Sequence, residues 1–420
     1  MGILAGIGIM ALAGIGVPLF IIMALSALVA FSFTDVQLSA VAVEIYRIAS
    51  APTLLTIPLF TFAGYILAES KAPKRLLRLA ESALGWLPGG VAIVSLVICA
   101  FFTAFTGASG VTIIALGGLL YPILKDEGYT EKFSLGLITT SGSLGLLFPP
   151  SLPIILYGLV AKVDIDKLFL AGIVPGILLI VILSAWSIKN GGESKKERQA
   201  FCGAELVAAF KACFFEAILP VGVLVGIYRG YTTATEAAAL TCFYVLIIEC
   251  FVYKDIKFVK ELPKVILDSM SLVGGILLIL CCALGLTNFL VDEEVPMQIL
   301  DFMRTFLTNK YSFLLFLNIF LLIVGSLMDI FSAIIVVVPL IVPIANEFGV
   351  DPIHLAIIFL TNLEIGYITP PVGINLFISS FRFNKPVTEL YRASFPFLIL
   401  LVIALVIITY VPSLSLLWFE

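Results

Sequence analysis

The sequence predicts an all-α integral membrane protein built as an inverted-topology repeat, with two re-entrant helical hairpins and two discontinuous helices. Three observations carry that prediction. Of the 420 residues, 61% are hydrophobic and 12% charged, with a mean hydropathy of +1.16, whereas soluble domains run near a quarter charged. The charges leave long gaps: none precedes Asp35, and none falls between Glu81 and Lys125 or between Lys132 and Lys162. Uncharged apolar stretches of about 18 residues or more are transmembrane candidates. The third observation is a recurrence of helix breakers at one fixed interval. The net charge of −4 offers nothing to a nucleic acid, whose binders present basic surfaces.

Displaced by 221 positions, Pro122 falls on Pro343, Gly128 on Gly349, Gly145 on Gly366, and Pro149-Pro150 on Pro370-Pro371; Gly64 meets Gly285 at the same shift. Pro73 meets Pro296 once two residues are inserted. Residues from about 50 to 185 and from about 270 to 420 therefore read as two copies of one unit. The expected organisation is an N-terminal repeat within 1–185, a basic cytoplasmic loop with connecting spans over 186–265, and a C-terminal inverted repeat over 266–420.

Charge gives the copies opposite orientations. ESKAPKRLLRL carries Lys71, Lys74, Arg75 and Arg78, while its counterpart VDEEVPMQILDFM carries Asp292, Glu293, Glu294 and Asp301. Basic loops stay in the cytoplasm and acidic ones are neutral in that rule. Basic loops at Lys189–Lys211, Lys254–Lys264 and Arg382–Lys385 agree. Threading them gives nine full spans and two hairpins, with the N-terminus cytoplasmic and the C-terminus periplasmic.

In chain order, the stretch from Gly2 to Phe33 has no basic flank and no small-residue cleavage site, so it reads as a retained first span. The two charged counterparts follow, each with an apolar face at helical spacing: Leu76, Leu77, Ala80 and Leu84 in one, Met297, Leu300, Met303 and Leu307 in the other. Each reads as a helix along the membrane surface, the alternative being the end of a span.

The uncharged run from Ser82 to Leu124 is too long for one span. Its centre, FTAFTGASGVT, interrupts two arms with Thr103, Thr106, Gly107, Ser109, Gly110 and Thr112. Arms of about fifteen residues fall short of the ~20 that a spanning helix needs. Tyr311 to Val324, GSLMDIFS, and Ala333 to Ala345 repeat the design. Two full spans would also return the chain to one side; the depth of the polar tips separates the readings.

Each hairpin precedes a helix broken at its centre: TSGSLGLLFPPSLPIILYG and TNLEIGYITPPVGINLF. A proline pair removes two backbone donors and disfavours helix before it. Unwound backbone in hydrocarbon is tolerated only when buried in protein or lining a cavity. Freed carbonyls and hydroxyls suit a small hard cation, and half-helix ends supply dipoles of both signs. Two acids sit at this depth, where acids are functional by default: Asp329 at the second tip, and Glu364, which either tunes the site or pairs with a buried partner. The seven cysteines form no zinc or redox spacing. His354, the only histidine, is expected in a loop.

On these residues the chain resembles the large membrane (M) subunit of tripartite ATP-independent periplasmic (TRAP) transporters, the DctM-like family. FTGASGVTIIALGGLLYPIL, GLLFPPSLPIILYG, GIYRGYTTATEAAAL and NLEIGYITPPVGINLF carry the resemblance over nearly the whole chain. Ala234 stands where the family usually has proline, and Arg229 where glycine is common. The resemblance implies an elevator-type ion transporter fold in the bacterial inner membrane, and sodium-coupled uptake of an organic acid such as a sialic acid or a C4-dicarboxylate. Its implied partners are a separate small membrane subunit of about four helices and a periplasmic substrate-binding protein. It implies no cofactor beyond sodium as the coupling ion. A first sodium position would use Thr103, Thr106, Gly145, Phe148 and Pro150, the last three through carbonyls. A second would use Gly325, Gly366, Thr369 and Val372. Asp329 matches an acidic family position, and with Ser109, Ser141, Asn362 and Glu364 makes the expected substrate set.

A stand-alone carboxylate transporter or ion exchanger is the nearest rival. An intramembrane enzyme needs a nucleophile–base set or a metal cluster. One histidine, no H-E-x-x-H and no G-x-G-D pair argue against it.

Overall fold

Backbone polar groups in hydrocarbon must be satisfied within the chain, which leaves helices as the economical solution for long uncharged runs. A computed structural model of the protein bears this out. It describes residues 9, 11–12, 17–32, 43, 46, 52–87, 89–190, 201–304, 307 and 309–419, and among these there is no strand. Of the expected first span, Leu19–Ser32 forms α1, and much of the remainder lies outside the described residues.

The first repeat comprises α2 (Thr56–Glu69), α3 (Ala72–Leu84), α4 (Gly90–Thr106), α5 (Ser109–Asp126), α6 (Glu131–Ser141), α7 (Leu152–Ala161) and α8 (Ile165–Asn190). Connecting helices follow: α9 (Gly203–Ala212), α10 (Phe214–Tyr228) and α11 (Ala234–Ile247). The second repeat runs through α12 (Leu262–Asp292), α13 (Val295–Arg304), α14 (Lys310–Leu327), α15 (Ile330–Glu347), α16 (Pro352–Gly366), α17 (Ile374–Phe383) and α18 (Val387–Tyr410), with a final turn, α19 (Ser413–Leu416).

The 221-residue displacement carries helix boundaries as well as breakers. Moved by it, α5 becomes 330–347 and coincides with α15; α4 becomes 311–327 against 310–327 for α14. Caps recur too. Thr130 caps α6 and its equivalent Asp351 caps α16, each side chain accepting backbone N–H bonds of the first turn. Pro73 and Pro296 both take the second position of their helices, where a missing donor costs nothing.

The packing is reciprocal across the repeats. α5 lies on α17 and α15 on α7, while α6 lies on α18. These helices form one body with α4, α8, α14 and α16. A second group joins α1 to α12, α2 to α11 and α12, and α3 to α9. The groups touch closely at Gly64 of α2. A Cβ there would lie 2.2 Å from the Phe105 carbonyl oxygen and 2.8 Å from Thr106 Cα.

The expected faces of α3 and α13 bury Leu76, Leu77 and Leu300, whereas Met297 is exposed and Leu307 lies past the end of α13. Arg75 has more to do than mark a cytoplasmic loop. Its side chain is only 15% exposed and pairs with Glu216, Glu249 and Asp255, over the Tyr253 ring at 3.9 Å. It thereby fastens α3 to α10 and to the segment that follows α11.

Among the described residues, eight helices are long and apolar enough to cross a membrane, or up to ten if each of two bent pairs is one span. Three of the eight are hairpin arms. From sequence, the first interruption spans Thr103–Thr112; in the structure it narrows to Gly107, at φ 63°, and extended Ala108. The arms are accordingly 17 and 18 residues rather than about fifteen. Threonine and serine hydroxyls find partners nearby and so do not end the helices.

His354 is a second correction. Rather than a loop residue, it is buried in α16, with Nδ1 3.2 Å from Ser415 Oγ and Nε2 3.2 Å from the Thr409 carbonyl. All seven cysteines are free.

Candidate functional site

Each hairpin tip packs against a helix interruption, the first pair buried in the interior and the second partly exposed. Thr103, Thr106 and Thr112 are fully buried. Thr103 Oγ1 lies 2.7 Å from the Gly142 carbonyl and 2.8 Å from Thr112 Oγ1. A carbonyl only accepts, so the Thr103 proton goes to Gly142 and Thr112 supplies the proton between the two hydroxyls. Thr106 Oγ1 stands 3.5 Å from Thr112 Oγ1. The result is a knot of three hydroxyls facing unwound backbone. Thr112 is the member that the resemblance did not single out.

Gly145 makes this approach possible. A Cβ there would sit 2.1 Å from the Ala100 carbonyl oxygen and 2.6 Å from Thr103 Cβ. Its carbonyl accepts from Phe148 N at 3.0 Å, and that of Phe148 from Ser151 N at 3.0 Å, so each keeps one lone pair for a further ligand. The Pro149-Pro150 bond is cis, and Pro150 is buried.

The second interruption repeats the backbone plan. A Cβ on Gly366 would lie 2.4 Å from the Gly325 carbonyl carbon, so the residues equivalent to Gly145 and Ala104 are again in backbone contact. Gly373 N donates to the Ser326 carbonyl at 3.1 Å, and Ile330 N to Tyr367 Oη at 2.9 Å. Pro370-Pro371 is also cis. Thr369 Oγ1 donates to the Ile365 carbonyl at 2.8 Å. In contrast to the first interruption, Pro370, Pro371 and Val372 are exposed, Val372 at 37%.

The five expected substrate residues separate. Ser109 Oγ donates to Asn375 Oδ1 at 2.7 Å, and Asn375 Nδ2 to the Thr139 carbonyl at 3.3 Å. This buried bridge joins the first tip to α17, and Asn375 stands in the GINLF segment without having been picked out from sequence. Asp329 caps α15, accepting from Ser332 N at 3.0 Å and from the Ser332 hydroxyl. Ser141 Oγ donates to the Ile138 carbonyl at 3.1 Å. Asn362 Nδ2 donates to Asn318 Oδ1 at 2.7 Å, and Asn318 Nδ2 to Thr409 Oγ1 at 3.0 Å; this network pins α14 to α16 and α18. Glu364 is fully buried, and neither carboxylate oxygen has a hydrogen-bond partner. The buried partner that would have explained it structurally is not found among the described residues.

The two departures from the family pattern are accommodated locally. Thr233 and Glu236 form a complete capping box at the start of α11. Ala234 takes the first helical position, where proline is favoured but not required. Gly230 supplies the positive φ of 71°, so Arg229 needs none.

Residues 7–414 match the family DctM, described as the tripartite ATP-independent periplasmic transporter, DctM component. The isethionate TRAP transporter permease protein DctMQ of Oleidesulfovibrio alaskensis is 36% identical over 403 residues, covering 95% of this chain. The chain spans only 63% of that relative's length. The C4-dicarboxylate TRAP transporter large permease protein DctM of Pseudomonas aeruginosa is 34% identical over 391 residues, covering 93% of this chain and 91% of the relative. Among solved structures, the Alcanivorax borkumensis YdaH transporter superposes with a TM-score of 0.63 at 12% identity, over 88% of this chain and 86% of that one. At that identity the likeness speaks for the fold alone.

Proposed function

The chain belongs to the DctM component family of tripartite ATP-independent periplasmic transporters, and we propose that it is the large membrane subunit that couples inward sodium flow to uptake of a small organic anion. The observation that carries this reading is the pair of unwound, oxygen-rich segments, each packed against a hairpin tip, the first of them sealed in the protein interior. Backbone freed from helical bonding is sustained at membrane depth only in such a setting. The burial of Thr103, Thr106 and Thr112 supports hairpins that enter partway and return, because the tips of full crossings would reach water.

In this reading the first sodium meets the hydroxyls of Thr103, Thr106 and Thr112 with the carbonyls of Gly145, Phe148 and Pro150. A second takes oxygens from Gly325, Gly366, Thr369 and Val372. Organic anions gain from amide and hydroxyl donors and from half-helix N-termini. That assigns substrate contact to Ser109, with Asn375 beside it at the start of α17. Asp329, Ser141 and Asn362 are engaged in a cap, a helical turn and an interhelical network.

The body formed by α4–α8 and α14–α18 would slide as an elevator against α1–α3 and α9–α13, with the N-terminus in the cytoplasm and the C-terminus in the periplasm of an inner-membrane protein. A separate small membrane subunit would steady the static group, and a periplasmic binding protein would deliver the substrate. The names of the two relatives, an isethionate and a C4-dicarboxylate permease, suggest small sulfonates and carboxylates as the first candidates.

The test is reconstitution of the chain with its small partner subunit and binding protein in liposomes. A sodium gradient is expected to drive accumulation of one of these anions. Accumulation that proceeds equally with potassium or choline in place of sodium would refute the coupling.

A further inference from the structure

Where the two broken helices cross, an oxygen cluster lies outside both expected sodium positions. Ser143 and Glu364 are equivalents under the 221-residue displacement, and they meet. Ser143 Oγ is 3.4 Å from the Glu364 backbone carbonyl and 3.3 Å from that of Thr140. All three residues are fully buried. Ser143 N also reaches the Thr140 carbonyl at 3.4 Å, so both carbonyls are met only by long bonds.

The side chains here lack partners outright. Thr140 Oγ1 and both Glu364 carboxylate oxygens are without a hydrogen-bond partner. Nine such buried side-chain atoms occur among the described residues, and five lie on the two interrupted segments: one each on Thr140, Ser151 and Asn362, and two on Glu364. Each unsatisfied buried group in a folded protein calls for an absent water or ion, and on these segments Glu364 leaves two such atoms.

A bare carboxylate in a protein interior is strongly unfavourable unless a counter-charge stands beside it. We propose that Glu364, with Thr140 and Ser143, holds a monovalent cation of the sodium class at a third position on the crossing of the repeats. A proton is a poorer counter-charge here. A neutral carboxyl donates a hydrogen bond, and neither oxygen has an acceptor within bonding distance. Oxygens that face no donor are instead what a hard cation collects. The carboxylate and its ion then travel as a neutral pair through the low-dielectric interior. That extra ion steepens the sodium dependence of uptake beyond what the two expected positions supply. The inference rests on the sodium-coupled reading of the same interior.

The experiment measures equilibrium binding of radiolabelled sodium to the purified complex of the chain with its small partner, without organic substrate. Glu364→Gln is expected to bind one sodium fewer per chain than the unaltered complex. Thr103→Val should lose a different one, and the double variant both. A Glu364→Gln complex that elutes as folded and binds as many sodium ions as the unaltered one overturns the third position and leaves the coupling intact. An unaltered complex that binds none overturns the coupled reading itself. Should Glu364→Gln fail to fold, Ser143→Ala and Thr140→Val take its place. Each is expected to weaken one class of sodium site by roughly tenfold, the scale of one lost ligand contact; unchanged affinity in both overturns the proposal. Proton release on sodium addition that vanishes in Glu364→Gln, with the sodium count unchanged, would assign the site to a proton and overturn it equally.

Discussion

The two hairpins begin and end at equivalent residues, yet their tips carry different chemistry. Thr103, Thr106 and Thr112 of the first correspond to Val324, Leu327 and Ala333 of the second. Farther down the arms the polarity reverses. The buried Asn318–Thr409 pair, which receives Asn362, stands where the first repeat has Val97 and Ile188. One proline pair is sealed inside and the other reaches the surface. Glycine, proline and cap positions thus set where the chain turns, while the residues between them are free to diverge. In the proposed reading, a first half-site that adds three threonine hydroxyls to its carbonyls and a second that relies mainly on peptide oxygens can share one backbone.

The severest challenge to this comparison is at the shared glycines. Gly145→Ala and Gly366→Ala each place a methyl 2.1–2.7 Å from main-chain atoms that cannot step aside. Both should reduce sodium-driven uptake by at least roughly tenfold, since overpacking of this kind costs about 1–3 kcal/mol. Loss in one variant alone would show that the two interruptions are not functionally equivalent.

The surface helices give the next contrast. Arg75→Gln leaves three acidic groups without their cation, a change worth about 3–5 kcal/mol in buried settings. It should lower the melting temperature of the detergent-solubilised protein markedly. Arg304→Gln on α13 breaks a pair whose members are 53% and 49% exposed and should shift melting by less than about 1 kcal/mol.

Thr112→Val removes a hydroxyl from the first half-site only. It should raise the sodium concentration for half-maximal uptake by roughly tenfold, whereas Ala333→Thr at the equivalent place leaves it unchanged. A matching response at Ala333 would erase the chemical distinction between the tips.

The smallest effect is expected at Asp329, whose equivalent Ala108 provides no side-chain cap. Asp329→Ala should cost about 1 kcal/mol of stability, as caps do, and Asp329→Asn almost nothing, with uptake retained. A fall in uptake at unchanged melting temperature would return the carboxylate to the substrate set.

The helix breakers were legible in sequence because proline and glycine act through backbone sterics, whatever surrounds them. Two hairpins, two breaks and two amphipathic helices could therefore be placed before any coordinates. Their polar contacts could not. Thr112 was legible as a tip residue but not as the partner of Thr103, and Asn375 reads as an ordinary amide in an apolar run until Ser109 is brought to it from another helix. His354 was misplaced for the same reason: its partners, Ser415 and Thr409, lie more than fifty positions away. The arms were underestimated because a threonine near a tip resembles a break, although its hydroxyl can be satisfied without interrupting the helix.

Gly64 has a mechanical meaning. The chain there rests against Phe105 and Thr106 with no room for even a methyl group, so the seat is cut from main chain alone. If the two groups slide as proposed, such a seat would act as a detent, fixing a stopping place by shape, whatever cargo or ions lie above it. Evolution could then retune the cargo pocket many times without disturbing the place at which the carriage halts.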